Sequence, residues 1–242
     1  MAEQRLNPKG ISNVTTFSPD ALVAASPGVY APQNDSLLLI DAMTAHAMVE
    51  GRSVLDFCAG SGIAAIAAAR LGAESVTAID ISRRAVRCTR RNARLVRVRV
   101  KACVGTQLDA YERGPYDVVV CNPPYVPAMP GQRDDAVPDD AGPSSAWDAG
   151  SDGRLILDPL CDSAGELLAD NGLLLIVQSE FADPDRSVWM LRHRGLNVDV
   201  VMTRRIPFGP VLTARARWME HVGLIPLGRR EEELVVIRAE KR

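Results

Sequence analysis

The sequence predicts an α/β fold: a doubly wound, mostly parallel sheet of seven strands. Short runs of Val, Ile and Leu alternate with longer segments of helical period, the order that parallel strands and crossover helices require. One run, Val54 to Phe57, ends in a glycine turn that opens into an alanine-rich segment. Asp56, Asp80 and Asn122 fall at the ends of such runs, and open α/β sheets carry their ligands outside the carboxyl ends of the strands.

The first helix is expected over 36–49, where Leu37 to Ile40 begin an amphipathic run that Asp35 or Ser36 can cap. The first strand, 53–57, leads through Gly60 and Gly62 into a helix over 61–71. Both glycines let a ligand approach the backbone, and the helix N-terminus aims N–H groups at it. A dinucleotide fingerprint needs a third glycine; Ile63-Ala64-Ala65 stands in its place, so a dinucleotide is disfavoured. The second strand, 75–80, closes on Asp80, placed to accept hydrogen bonds from both hydroxyls of a ribose.

The next helix, 82–94, carries Arg83, Arg87, Arg90 and Arg94 at helical spacing, as a solvated face or a contact for RNA or an acidic partner. In the third strand, 97–103, Val96, Val98 and Val100 alternate with Arg97, Arg99 and Lys101, which reads as protection of a sheet edge. The fourth strand, 116–121, runs into Asn122-Pro123-Pro124-Tyr125. Residues 127–152 hold Pro127, Pro130, Pro138 and Pro143 with Asp134, Asp135, Asp139, Asp140, Asp148 and Asp152. They form either a lip that orders on substrate binding or a solvated loop. Strands at 172–178, 197–202 and 233–238 and helices at 153–170, 184–194 and 212–221 complete the alternation.

The Asn-Pro-Pro-Tyr corner is chemically one-sided. Proline has no N–H, so two in a row leave carbonyl acceptors and almost no donors. With the Asn122 side-chain oxygen, the corner can take both hydrogens of one planar NH2 group, and Tyr125 offers a flat face to it. This suits methylation of an amide or aromatic amine, whose lone pair is delocalised. An ordinary strand end and turn would explain the tetrapeptide alone as well; the glycine turn and Asp80 upstream tip the balance.

Here the chain resembles the class I S-adenosylmethionine (SAM) methyltransferases, and among them the HemK-like protein-glutamine methyltransferases. The resemblance runs from Gly28-Val29-Tyr30-Ala31-Pro32-Gln33-Asn34-Asp35-Ser36, which is similar to the lid of the compact release-factor-type subgroup, through Leu55–Gly62, Asp80 and Asn122–Tyr125. Ala146-Trp147-Asp148-Ala149-Gly150 and the tail Arg229–Arg238 extend it. It implies a Rossmann-like sheet with an antiparallel last strand, a lid and leading helix in residues 1–50, and a methyltransferase domain over 51–242, all in one globular unit.

It also implies SAM as cofactor, with S-adenosylhomocysteine as product. Tyr30, Pro32, Asp35, Ser36, Asp56, Gly60, Gly62, Asp80, Ile81, Thr106 and Asn122 are the expected cofactor residues. Asn122, Pro123 and Tyr125 are the expected catalytic residues, and Pro124 and Trp147 join them around the acceptor. Thr106 stands where the family usually has Asp beside the adenine, and Cys58 occupies the first glycine slot of the turn. Residues 204–226 look inserted. In relatives a small activating subunit adds a strand to the third strand's edge; the basic alternation there predicts no obligatory partner.

Composition agrees with one soluble domain. At 242 residues and net charge −2, the chain can bury a large core and exerts no global pull on polyanions. Its five cysteines include no Cys-x-x-Cys pair, and three scattered histidines give no metal-ligand spacing. No signal peptide or membrane-length apolar run is evident, so a cytoplasmic location is expected. The favoured acceptor is the glutamine amide of a protein such as a peptide chain release factor. Two other readings stand beside it: methylation of the adenine amino group in DNA or RNA, and a silent SAM-binding scaffold. The first needs a grip on the nucleic-acid backbone that this balanced chain lacks room for, and the second has no use for donor-free acceptors.

Overall fold

The computed structural model describes residues 23–129, 137–138 and 141–242. Seven strands form one sheet: β1 (Ser53–Phe57), β2 (Ser75–Asp80), β3 (Lys101–Val104), β4 (Tyr116–Cys121), β5 (Leu168–Ser179), β6 (Asn197–Pro207) and β7 (Glu231–Glu240). Their spatial order is β3-β2-β1-β4-β5-β7-β6. The first five run parallel, and β7 lies antiparallel to both β5 and β6. Helices α1 (Asn34–His46), α2 (Ile63–Arg70), α3 (Arg83–Leu95), α4 (Gln107–Tyr111), α5 (Leu157–Leu167), α6 (Pro184–His193) and α7 (Pro210–His221) are described around the sheet.

Both faces of the central strands are covered, so they read as unbroken apolar runs: Val118, Val119, Val120 and Cys121 are all fully buried. Leu38, Leu39 and Met43 of α1 join the same core as β1, β4 and β5. The order reverses between β1 and β4, where Phe57 pairs with Cys121. A crevice opens there at the carboxyl ends of β1, β2 and β4.

Several expectations need correction. α1 starts at Asn34 with Gln33 at its N-cap; Asp35 and Ser36 lie inside its first turn. The Val96–Val100 run is no strand. Val96 caps α3, Arg97 takes a left-handed φ of 58°, and pairing to β2 begins only at Lys101. Val96, Val98 and Val100 alternate because they pack against the core from a turn, so the basic residues between them guard no ladder. That removes the ground for expecting no partner at this edge. α5 begins four residues later than expected, because the glycines before it hold the chain in left-handed turns, with φ of 78° at Gly150 and 75° at Gly153. Residues 204–226 extend β6 and build α7. Of the loop 127–152, Pro130, Asp134, Asp135, Asp139 and Asp140 lie outside the described residues, as do residues 1–22 of the expected lid segment.

Candidate active site

A cavity of about 340 Å³ occupies the crevice at the switch point. Its floor is the β1 end and glycine turn, from Asp56 to Ser61, and its far wall holds Asp80, Ile81 and Thr106. Tyr30, Pro32 and Ser36 close it from the α1 side, and Asn122 and Pro124 from the β4 corner. A β-carbon at Gly60 would meet nothing within 4 Å, so the turn presents bare backbone to open space. Asp80 sits across from it, accepting from Gly60 N–H at 2.9 Å through Oδ2 and from Ser82 N–H at 2.8 Å through Oδ1. Those bonds fix the carboxylate while each oxygen keeps a lone pair for a ligand hydroxyl. Burial nonetheless raises the Asp80 carboxyl above its ordinary range.

Two expected cofactor residues are tied into the fold as well. Gly62, the N-cap of α2, does not line this cavity: a β-carbon there would lie 2.5 Å from Thr89 Cγ2, so the glycine serves close packing of the turn on α3. Asp56 lines it but is 2% exposed and accepts from Ala65 N–H at 2.9 Å, which ties β1 to α2. Burial pushes its carboxyl up to about 7, with the Asp80 charge adding to the rise. Thr106 lines the cavity, though its hydroxyl and N–H both donate to Asp109, at 3.0 and 2.8 Å.

A second cavity, of about 80 Å³, adjoins the first. Tyr30, Asn122 and Pro124 line both, so the two meet at the Asn-Pro-Pro corner. Asp35, expected beside the cofactor, lines this smaller cavity instead, as do Pro123, Tyr125 and Trp147. Asp35 is the tie-point of the corner. Its Oδ2 accepts from Tyr30 Oη at 3.0 Å and Tyr125 Oη at 3.1 Å, and its Oδ1 from Ser36 N–H at 2.6 Å and Ser36 Oγ at 3.2 Å. Ser36 Oγ in turn accepts from Asn122 Nδ2 at 3.4 Å. The nitrogen end of the Asn122 amide therefore faces α1, which leaves its oxygen as the acceptor end. Trp147 forms part of the wall, with the buried Arg215 guanidinium 4.8 Å from its ring centre.

Residues that sequence reasoning passed over complete this wall: Gln33, Ile206, Pro207, Val211 and Glu232. Most come from the segment read as an insertion. Glu232 had a detectable signal, since it falls in phase with buried Leu234 and Val236 on β7, where a carboxylate is unexpected.

The family model for ribosomal protein L11 methyltransferase (PrmA) matches residues 35–123, from the tie-point carboxylate to the first proline of the corner. A putative protein N5-glutamine methyltransferase from Methanocaldococcus jannaschii is 30% identical over 78% of this chain and 92% of its own. The chain belongs to the HemK-like protein-glutamine methyltransferase family. Mouse methyltransferase HEMK2 is 32% identical over 73% of the chain and 84% of its own length. Among solved structures, the Mtq2–Trm112 complex of E. cuniculi, described as responsible for methylation of the eRF1 translation termination factor, superposes with a TM-score of 0.59. That match covers 89% of this chain and 99% of the other at 21% identity. As a HemK-like enzyme the chain is a methyltransferase, and the class I methyltransferases take their methyl group from SAM. Among the described residues no helix is long and apolar enough to cross a membrane, and no group of His, Cys, Asp and Glu could hold a metal ion.

Proposed function

We propose that this HemK-like enzyme methylates the side-chain amide nitrogen of a glutamine in a protein, a peptide chain release factor, in the cytoplasm. The observation that carries this is the meeting of the two cavities at Asn122, whose amide nitrogen is tethered to Ser36. The larger cavity suits SAM: Gly60 leaves a cradle that a β-carbon would fill, and Asp80 can take the ribose hydroxyls. Tyr30, Pro32, Ser36, Asp56 and Ile81 would flank it, with Thr106 near the adenine. SAM, when bound, supplies an electrophilic methyl group on a sulfonium.

The chain's own residues then act mainly by positioning. Asn122 Oδ1 and the Pro123 carbonyl accept the two amide hydrogens, which draws electron density to nitrogen and aims its lone pair at the larger cavity. Orientation of this kind supplies most of the rate when reacting atoms are held about 3–3.5 Å apart. Tyr125, held by Asp35, packs on the amide plane, and Trp147 backs it. No strong base is needed, because the methylated nitrogen is acidic enough to pass its proton to these acceptors or to water. The release-factor acceptor is supported by what the E. cuniculi relative methylates.

Radiolabelled SAM, offered with release factor, with DNA and with RNA, tests the proposal by where the label goes. Label in the release factor at a glutamine is the expected result, and Asn122→Ala should abolish it while leaving SAM affinity within about twofold. Label in nucleic acid would overturn it in favour of an adenine methyltransferase, and SAM binding without label anywhere would favour a scaffold. The β3 edge leaves Leu95, Val104 and Leu108 exposed nearby. The assay is therefore repeated with a Trm112-like subunit, and activity gained only then, and lost again on charging Val104 and Leu108, would mark that edge as its seat.

A further inference from the structure

Resting on that acceptor assignment, we propose that Glu232 reads a second hydrogen-bond donor on the acceptor, a main-chain N–H of the peptide flanking the methylated side chain. Glu232 is 5% exposed, on β7, and lines the smaller cavity beside Tyr30, Asp35 and Tyr125. Its Oε2 is a buried oxygen with no hydrogen-bond partner among the described residues. Native proteins rarely keep such an atom, because a buried acceptor without a donor forfeits its hydration and gains nothing in return, and the more so when charged.

The other carboxylate of this wall makes the contrast. Asp35 receives four donors and is saturated, so it holds the corner together. Glu232 lines the cavity that the acceptor must enter, and one of its two oxygens is left unclaimed. The Asn122 oxygen and the Pro123 carbonyl already take both hydrogens of the acceptor amide. The donor for Glu232 is therefore a different group, and in a peptide the nearest such group is main-chain N–H. Asn122, Pro123 and Pro124 grip the reacting nitrogen alone and cannot tell a free carboxamide from a peptide-borne one. A carboxylate beyond them can.

The charges around Glu232 set how this contact varies with pH. Asp35 on α1 and Glu180 after β5 repel its charge; Arg229, ahead of β7, attracts it but is already paired with Glu180; Ser179 donates to it. Tyr30 and Tyr125 face it from the lid and the corner, both pushed well above the ordinary phenol range and so uncharged. Burial dominates and lifts the Glu232 carboxyl up to about 7. The ionised form is the better acceptor, so affinity for the peptide should rise between pH 6 and 8.

The test uses the full chain, saturating SAM and intact release factor, with Glu232→Gln and Glu232→Met. Glu232→Met keeps length without an acceptor and should raise the release-factor KM about tenfold or more; Glu232→Gln, which keeps a neutral oxygen, should raise it less. In both, kcat and SAM affinity should stay within about twofold. Wild-type KM should fall from pH 6 to 8, and the Glu232→Gln profile should be flat. If Glu232→Met fails to fold, the isosteric Gln variant and the pH profile carry the decision. Labelled release factor with unchanged KM and unchanged pH profile would overturn this proposal alone; wild-type enzyme that labels no protein would overturn the acceptor assignment and this with it.

Discussion

Gly60 and Gly62 stand two positions apart in one turn, and alanine at each should damage a different property. Both have left-handed backbones, with φ of 53° and 81°. That conformation costs a residue with a β-carbon about 1–2 kcal/mol. At Gly60 nothing else is lost to the fold, because a β-carbon meets no atom within 4 Å. At Gly62 the added carbon would sit 2.5 Å from Thr89 Cγ2 and 2.9 Å from its Oγ1. Thr89 cannot swing aside cheaply: it is β-branched, and its hydroxyl donates to the Gly60 carbonyl at 3.1 Å. Overpacking of this kind adds about 1–3 kcal/mol. Gly62→Ala should therefore lose about 2–5 kcal/mol and Gly60→Ala about 1–2, which at about 2–4 °C per kcal/mol separates their melting temperatures clearly. SAM affinity should show the reverse. A methyl group at Gly60 intrudes on the larger cavity and should weaken SAM about tenfold, whereas folded Gly62→Ala should bind it nearly as wild type does. Differential scanning fluorimetry without ligand and calorimetric titration with SAM, at a temperature where both variants are folded, give the two readings. Equal loss of SAM affinity in both, or a milder melting shift in Gly62→Ala, would refute the division of labour.

Three further outcomes follow from the same geometry. Asp80→Asn removes the charge expected to accept the ribose hydroxyls and should weaken SAM by about ten- to a hundredfold, read by titration calorimetry, with its bonds from Gly60 and Ser82 weakened but the fold intact. Tyr125→Phe deletes one of the two phenol donors to Asp35 and should cost about 1–2 kcal/mol in chemical denaturation, while SAM affinity stays unchanged. Glu232→Gln should stabilise the protein at pH 8 but not at pH 4. The folded carboxyl sits at about 7 against an ordinary 4.5, so its stabilising share is fully present below about 4.5 and is lost as pH rises through 7. The gain over wild type should grow across that window to at most about 3 kcal/mol and then level off; a gain independent of pH would contradict it.

How far the sequence could be read depended on whether local pattern and tertiary role coincide. β1, β2 and β4 are largely buried, mostly apolar runs bounded by turn residues, and each lies within the stretch that composition picks out. Asp80 and Asn122 inherit their places from the ends of those strands, so their proximity to one crevice was legible too. Pattern misled where a period of two arose from something other than a strand. Val96, Val98 and Val100 alternate in burial because a turn off α3 lays them on the core, and no ladder is involved. Gly62 misled in the same way: a glycine in a binding turn looks like room for ligand, and only Thr89, on the next helix, reveals that it makes room for a side chain.

The wall of the smaller cavity was out of reach for another reason. Gln33 and Glu232 lie almost at opposite ends of the chain, yet they line one cavity. What joins them is the placement of β7 between β5 and β6, which carries its first residues back toward α1, and nothing in the local sequence of either segment encodes that. The two halves of the site therefore differ in kind. The crevice that suits SAM is assembled from consecutive strand ends of one parallel half-sheet, and its donors and acceptors can be anticipated from a single motif each. The wall of the smaller cavity is assembled from an antiparallel return, and its distinguishing group is a carboxylate that breaks the apolar phase of its own strand. A residue that violates the burial rule of its element, at a point where topology turns it toward a cavity, is the feature to seek when the motif residues are silent about which substrate is accepted.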